Sequence, residues 1–150
     1  MMYTADTSFF IRLSESVPKA LALWHEIVEG KSKLAVPTAV LVELKNRLLK
    51  RNLQNEAEEL IDIFENSSKI VLIPLTTNLA KKAGSLGYTY NMTNFDAIVL
   101  ATAIEAGYKN ILGNYFPAQK LVIASRIKCD TVTRSALANR FQSLISLDSA

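Results

Sequence analysis

Apolar positions along this chain fall into two alternating rhythms, short continuous runs and longer stretches at helical spacing, so short strands and helices take turns. Met2 to Ala5 reads as a short buried strand, after which Asp6, Thr7 and Ser8 offer side-chain caps to a short helix running toward Leu13. From Val17 to Glu29, Val17, Ala20, Leu21, Trp24, Ile27 and Val28 share one helical face; Pro18 is tolerated in the first turn and Gly30 stops the helix. Lys33 to Val36 is a second strand, and Pro37 with Thr38 turns the chain into a helix carrying Val40, Leu41, Leu44 and Leu48. A further helix spans Gln54 to Glu65, with Ala57, Leu60, Ile61 and Phe64 inward, and Ile70 to Ile73 is the next strand, bounded by Pro74. Thr76 or Thr77 caps a helix through Leu86 that Gly87 ends. Phe95 to Ala106 is apolar nearly all round, which predicts a helix buried on most sides and closed by Gly107. Asn110 to Leu112 is another short strand. In the tail, Leu121 to Ala124 fits helix or strand, Ile127 to Val132 fits an edge strand, and Ser135 to Leu147 fits an amphipathic helix through Ala138, Phe141, Leu144 and Ile145.

Strands alternating with helices predict an α/β three-layer fold with a central, mainly parallel sheet and right-handed crossovers. Each helix then runs back against its strands, so helix N-termini gather at the carboxyl edge, where ligands bind in open sheets. This geometry sorts the acidic residues. Asp6 follows the first strand, Glu43 lies in the second turn of the helix after the second strand, and Asp96 lies in the first turn of the buried helix. All three project near the carboxyl edge. Glu29 and Glu105 stand at the far ends of their helices and belong to the opposite edge.

Composition adds scale and excludes classes. With 150 residues, 49% of them hydrophobic, and no linker, repeat or low-complexity tract, a single domain over residues 1–150 with a sizeable core is expected. The start MMYTADTSFFIRL lacks a basic n-region and has Asp6 within its apolar stretch, so it does not read as a signal peptide. Apolar runs fall short of the roughly 20 residues a membrane span needs, and a cytoplasmic location is the expectation. The single cysteine, Cys129, precludes an internal disulfide and reads as a small buried hydrophobe. A net charge of +3 names no partner. Lys45, Arg47, Lys50 and Arg51 do form a local basic stripe able to neutralise phosphates, although a solvated helix face is the commoner use of such a run.

Each acid has an ordinary explanation. Asp6 can cap the segment after it, a role worth about 1 kcal/mol. Glu43 precedes Arg47 by four residues, the favourable order for a helical ion pair of about 0.2–0.5 kcal/mol. Asp96 follows Thr93 at capping-box spacing and complements the helix dipole. Jointly these explanations weaken, because capping alone does not require carboxylates beside an apolar strand, turn and buried helix. Carboxylates held close repel unless a cation sits between them, and a hard divalent ion, Mg²⁺ or Mn²⁺, suits oxygen ligands and phosphate substrates. Thr7 or Ser8 can support a ligand or a water in a second layer of hydrogen bonds. The chemistry that follows is metal-assisted phosphodiester hydrolysis.

The ordered set ADTSFF after a strand, VLVELKNRL on a helix, and NFDAIVLATAIEAG followed by the strand NILGN resembles the PIN domain, especially the compact VapC-type toxin nucleases. The likeness spans the first three quarters of the chain in order and spacing. It implies a metal-dependent endoribonuclease with Asp6, Glu43 and Asp96 as the acidic cluster, a homodimer paired with an antitoxin protein that plugs the site. It also exposes a departure: the family usually places a further acid just after the strand that here reads ILGNYF, where this chain has Gly113, Asn114 and Tyr115. Asn114 is the nearest neutral oxygen donor, and Asp130 is an alternative from the tail. One firmly bound ion, with weakened binding of a second, is the expectation. Arg12, Lys45 and Arg47 are the residues expected to draw in RNA.

Other motifs carry less. The triplet Gly30-Lys31-Ser32 lacks the earlier glycine of a P-loop and follows a helix. His25 is the only histidine and has no acid or nucleophile partner in sequence, which argues against serine–histidine catalysis and a histidine-based zinc site. Tyr88, Tyr90, Phe95 and Tyr115 flank the expected cleft and can stack on unpaired bases, though aromatics at a sheet edge more often serve the core. A degenerate PIN fold that binds RNA or a protein without cleaving is the second reading. A receiver-like phosphotransfer module is a third, weakened because Asp6 has no adjacent acidic partner.

Overall fold

The computed structural model describes residues 1–108 and 110–113. Asn114, Tyr115, Cys129, Asp130 and the three tail segments of the sequence reading lie outside the described residues. The elements run β1 (Met2–Ala5), α1 (Thr7–Ser14), α2 (Pro18–Val28), β2 (Lys33–Pro37), α3 (Thr38–Leu49), α4 (Gln54–Asn66), β3 (Ile70–Ile73), α5 (Thr77–Tyr90), α6 (Asn94–Glu105) and β4 (Asn110–Leu112). The four strands form one parallel sheet in the order β3-β2-β1-β4, flanked by helices.

The connections β1→β2 and β2→β3 step outward in one direction, whereas β3→β4 returns across the sheet to the other side of β1. Right-handed crossovers therefore put α1–α4 on one face and α5–α6 on the other. The strand order reverses between β1 and β4, and the carboxyl ends of those two strands form a switch-point crevice of the kind in which open α/β sheets hold ligands. Asp6 stands directly after β1, and its N–H donates to Leu112 O at 2.9 Å, so β1 and β4 stay zipped to their last residues.

The core explains why the short strands hold. Phe10 of α1, Trp24 of α2, Leu44 of α3 and Phe64 of α4 are fully buried in one cluster with Leu34 and Val36 of β2. The Phe10 and Phe64 rings meet at 4.7 Å between centroids and tie α1 to α4. Each such side chain contributes about 1.5–3 kcal/mol when fully buried. On the other face α6 lies against β1, β2 and β4. Its run Val99, Leu100, Ala101, Thr102 and Ala103 is wholly buried, as its all-round apolarity predicts.

One helix end differs from the sequence expectation. Gly87 does not terminate α5, which continues to Tyr90. A Cβ on Gly87 would touch the Ala97 Cβ at 3.4 Å, so this glycine serves the close approach of α5 to α6. The stop is Asn91, left-handed at φ 52° and ψ 52°. Met92 N–H donates to Gly87 O at 3.0 Å and the Asn91 N–H points to Tyr88 O, the pattern of a Schellman cap. Because a left-handed residue with a plain Cβ costs about 1–2 kcal/mol, Asn91→Ala should lower stability by about 1 kcal/mol and Asn91→Gly should leave it nearly unchanged. Urea midpoints at equal m-values would read the difference.

Candidate functional site

Asp6, Glu43 and Asp96 come from three separate elements and line one cleft of about 410 Å³ at the carboxyl edge. Asp6 is the N-cap of α1, extended at φ −94° and ψ 175°. Its Oδ1 accepts from the Phe9 N–H at 3.1 Å and the Ser8 hydroxyl at 2.5 Å. Only 8% of the residue is exposed. Burial pushes its carboxyl above the ordinary value of 3.8; the Ser8 hydroxyl and the N–H groups of Phe9 and Ser8 oppose this, and the Asp96 charge adds to it.

Glu43 reaches the cleft from the second turn of α3, and both of its oxygens are engaged. The Thr7 hydroxyl donates to Oε2 at 2.6 Å, and Arg47, one turn on, donates to Oε1 at 2.6 Å. The i,i+4 pair is therefore real, but it stands inside the cleft, which Arg47 also lines. Asp96 is the third residue of α6. The Thr93 hydroxyl accepts from its N–H at 3.2 Å and donates to its Oδ2 at 2.7 Å. Burial raises the Asp96 carboxyl above 3.8, Thr93 lowers it, Glu43 raises it further and Arg47 lowers it. Asp96 and Asp6 thus feel each other, as do Glu43 and Asp96. The three acids form one electrostatic unit.

Among the described residues, no three acidic, histidine or cysteine side chains are already closed to metal-ligating distance. Each carboxylate is hydrogen-bonded by a donor of the chain itself: Asp6 by Ser8 and Phe9, Glu43 by Thr7 and Arg47, Asp96 by Thr93. As a donor set the cleft fits a hard cation: three carboxylates, all oxygen, with the Thr7, Ser8 and Thr93 hydroxyls hydrogen-bonded behind them. Val40 and Val99 supply apolar walls, and Phe95, 38% exposed, stands at the opening.

Other expected residues are elsewhere. Arg12 is buried at 8% exposure and lines a small neighbouring cavity with Phe9, Val17 and Gly113, because α1 is buried along its whole length. Lys45 points to α4, paired with Glu58 at 2.7 Å. Neither lines the cleft; of the three expected RNA-contacting cations, only Arg47 does. Tyr88 is 91% exposed and Tyr90 packs partly against the core. Glu105 pairs with Lys82, and Glu29 with Lys31, away from the three acids. Thr93 was legible only as a cap, and nothing in the sequence marked Gly113 as the neighbour of Asp6.

The family model for the PIN domain matches residues 3–114, nearly all of the described chain. The chain belongs to the PIN domain family. As a PIN domain it shares its fold with VapC20 of Mycobacterium tuberculosis, a sarcin–ricin loop cleaving toxin, at a TM-score of 0.63 and 17% identity over 82% of this chain and 93% of that one. VapBC2 from Rickettsia felis, bound to a DNA fragment from its promoter, aligns at a TM-score of 0.65 and 15% identity over 87% and 98%. A toxin–antitoxin complex from Klebsiella pneumoniae aligns at 0.62 and 17% over 90% and 99%. No curated protein is a significant match in sequence.

The raised carboxyls give the PIN domain a signed pH dependence. Above 3.8 the folded chain retains protons on Asp6 and Asp96 that the unfolded chain has released. The stability these two groups contribute is therefore fully present below that value and is lost as pH rises through the raised folded values. In EDTA, urea midpoints should drop across that window, and Asp6→Asn should flatten the drop. An unchanged slope in Asp6→Asn would assign the dependence to other groups.

Proposed function

We propose that this PIN domain is a metal-dependent endoribonuclease, the toxin of a toxin–antitoxin pair, acting on RNA phosphodiesters at the acidic cleft. The observation that carries the reading is the convergence of Asp6, Glu43 and Asp96 on one cleft with Arg47 beside them. The fold shared with a toxin that cleaves the sarcin–ricin loop and with toxin–antitoxin complexes supports both RNA and an antitoxin protein as partners. A homodimer is part of the proposal, as is a cytoplasmic setting. Among the described residues no helix is long and apolar enough to cross a membrane.

Asp6 and Asp96 would hold Mg²⁺ or Mn²⁺, with Glu43 completing the set or orienting a water. The chemistry supplied by such an ion is Lewis-acid polarisation of the phosphate and a lowered pKa for water. Thr7, Ser8 and Thr93 hold the three carboxylates against rotation. Arg47 answers the charge of the acids and, at the cleft, draws in the phosphate backbone. Phe95 offers a ring face to an unpaired base.

A second reading is favoured by one observation. Both Glu43 oxygens and Asp6 Oδ1 are committed to donors of the chain itself. Carboxylates already committed in this way suit a PIN fold that binds RNA or a protein without cleaving it. Incubating the protein with single-stranded and structured RNA in Mg²⁺, Mn²⁺ or EDTA separates the two. Cleavage in either metal, abolished by EDTA and reduced at least about 100-fold in Asp96→Asn, supports the nuclease, since loss of a ligand should cost no less than loss of its outer support. EDTA-insensitive binding without cleavage selects the second reading.

A further inference from the structure

Gly113, the residue after β4, is buried, and its backbone does not explain why it is glycine. The glycines with positive φ among the described residues are Gly30 and Gly107; Gly113 is not one of them. A left-handed φ is therefore not what requires glycine here. Space is another matter. A Cβ at this position would fall 2.6 Å from Asp6 Oδ1 and closer still to Cγ and Oδ2. Non-bonded carbon and oxygen atoms settle more than 3 Å apart, so the Asp6 carboxylate fills the volume a side chain at position 113 would take.

Asp6 has little freedom to retreat. Its Oδ1 is held by Ser8 and by the Phe9 N–H at the start of α1, and its own N–H is tied to Leu112 O, one residue before Gly113. Turning the side chain away would break the cap. We propose that Gly113 is the positioning residue of Asp6: the missing side chain at the end of β4 seats the carboxylate in the β1/β4 crevice, in the pose from which it serves the acidic cleft. The cation-binding part of this assignment rests on the reading under Proposed function; the packing part does not.

The test is a double-mutant cycle of Gly113→Ala and Asp6→Ala, with stability read by urea in EDTA and affinity by calorimetric titration of Mn²⁺ under folding conditions. Gly113→Ala should lower the urea midpoint when Asp6 is present and leave it unchanged or slightly raised in the Asp6→Ala background, where Ala only restricts the unfolded chain. With Asp6 present it should also weaken Mn²⁺ binding at least about tenfold, the scale of lost outer support. An equal stability loss in both backgrounds overturns the proposal, because the collision would not be with Asp6. A coupled stability loss with unchanged Mn²⁺ affinity also overturns it, leaving Gly113 a packing residue. Wild-type protein that shows the coupling but binds no Mn²⁺ defeats the metal reading itself, and the cation-binding part of the proposal with it.

Discussion

Keeping a carboxylate nearly dry at the junction of two strands is the constraint around which the carboxyl edge of this fold is arranged. Asp6 is 8% exposed, and burial opposes its charge. The fold answers with donors taken from the next turn of chain: the Ser8 hydroxyl and the N–H groups that open α1. Those N–H groups would be orphaned at any helix start, so one contact satisfies both the helix and the acid. The same contact fixes where α1 leaves the sheet, and with it the path of Phe9 and Phe10 into the core. A side chain placed for chemistry and a cap placed for folding are here one residue.

The neighbouring acids are managed by the same local means. Glu43 is held between Thr7 and Arg47, and Asp96 by Thr93. Each restraint is individually small, about 0.5–1.5 kcal/mol for an ordinary hydrogen bond and less for an exposed ion pair. Their joint effect is geometric. They hold three like charges at one edge while denying each the easiest escape, rotation into solvent. Asp6 and Asp96 show the cost as carboxyls raised above the usual value, part of it from neighbouring negative charge. On the proposed reading a bound cation would relieve that repulsion, which gives the raised carboxyls a functional sense as well as a structural one.

Much of this was legible in the chain, because the strands are short apolar runs and α1, α5 and α6 open on capping side chains, Asp6, Thr76 and Thr93. Met2–Ala5, Ile70–Ile73 and Asn110–Leu112 stand where the pattern puts them. The placement of Asp6, Glu43 and Asp96 on one edge follows from alternation of strand and helix alone. Local pattern misleads where a residue has two possible uses. Gly87 looks like a stop but is a helix–helix contact, and the stop is an asparagine. Arg12 looks like a surface cation but is buried, because α1 is enclosed on every side, which its local pattern does not reveal.

Gly113 is the sharpest case of a residue with two meanings. Compared with the family pattern, Gly113, Asn114 and Tyr115 read as a lost carboxylate at the rim. In the fold, the first of these three is also space that Asp6 occupies. At that position a side chain and the present Asp6 pose exclude each other. The missing side chain has an electrostatic side. Gly113 adds no charge beside the buried Asp6 carboxylate, so that carboxylate is easier to tolerate in its ionised form than it would be next to a second acid. On the proposed reading, a cation held at this edge would depend on the seat of Asp6, which the absence of a side chain at Gly113 allows.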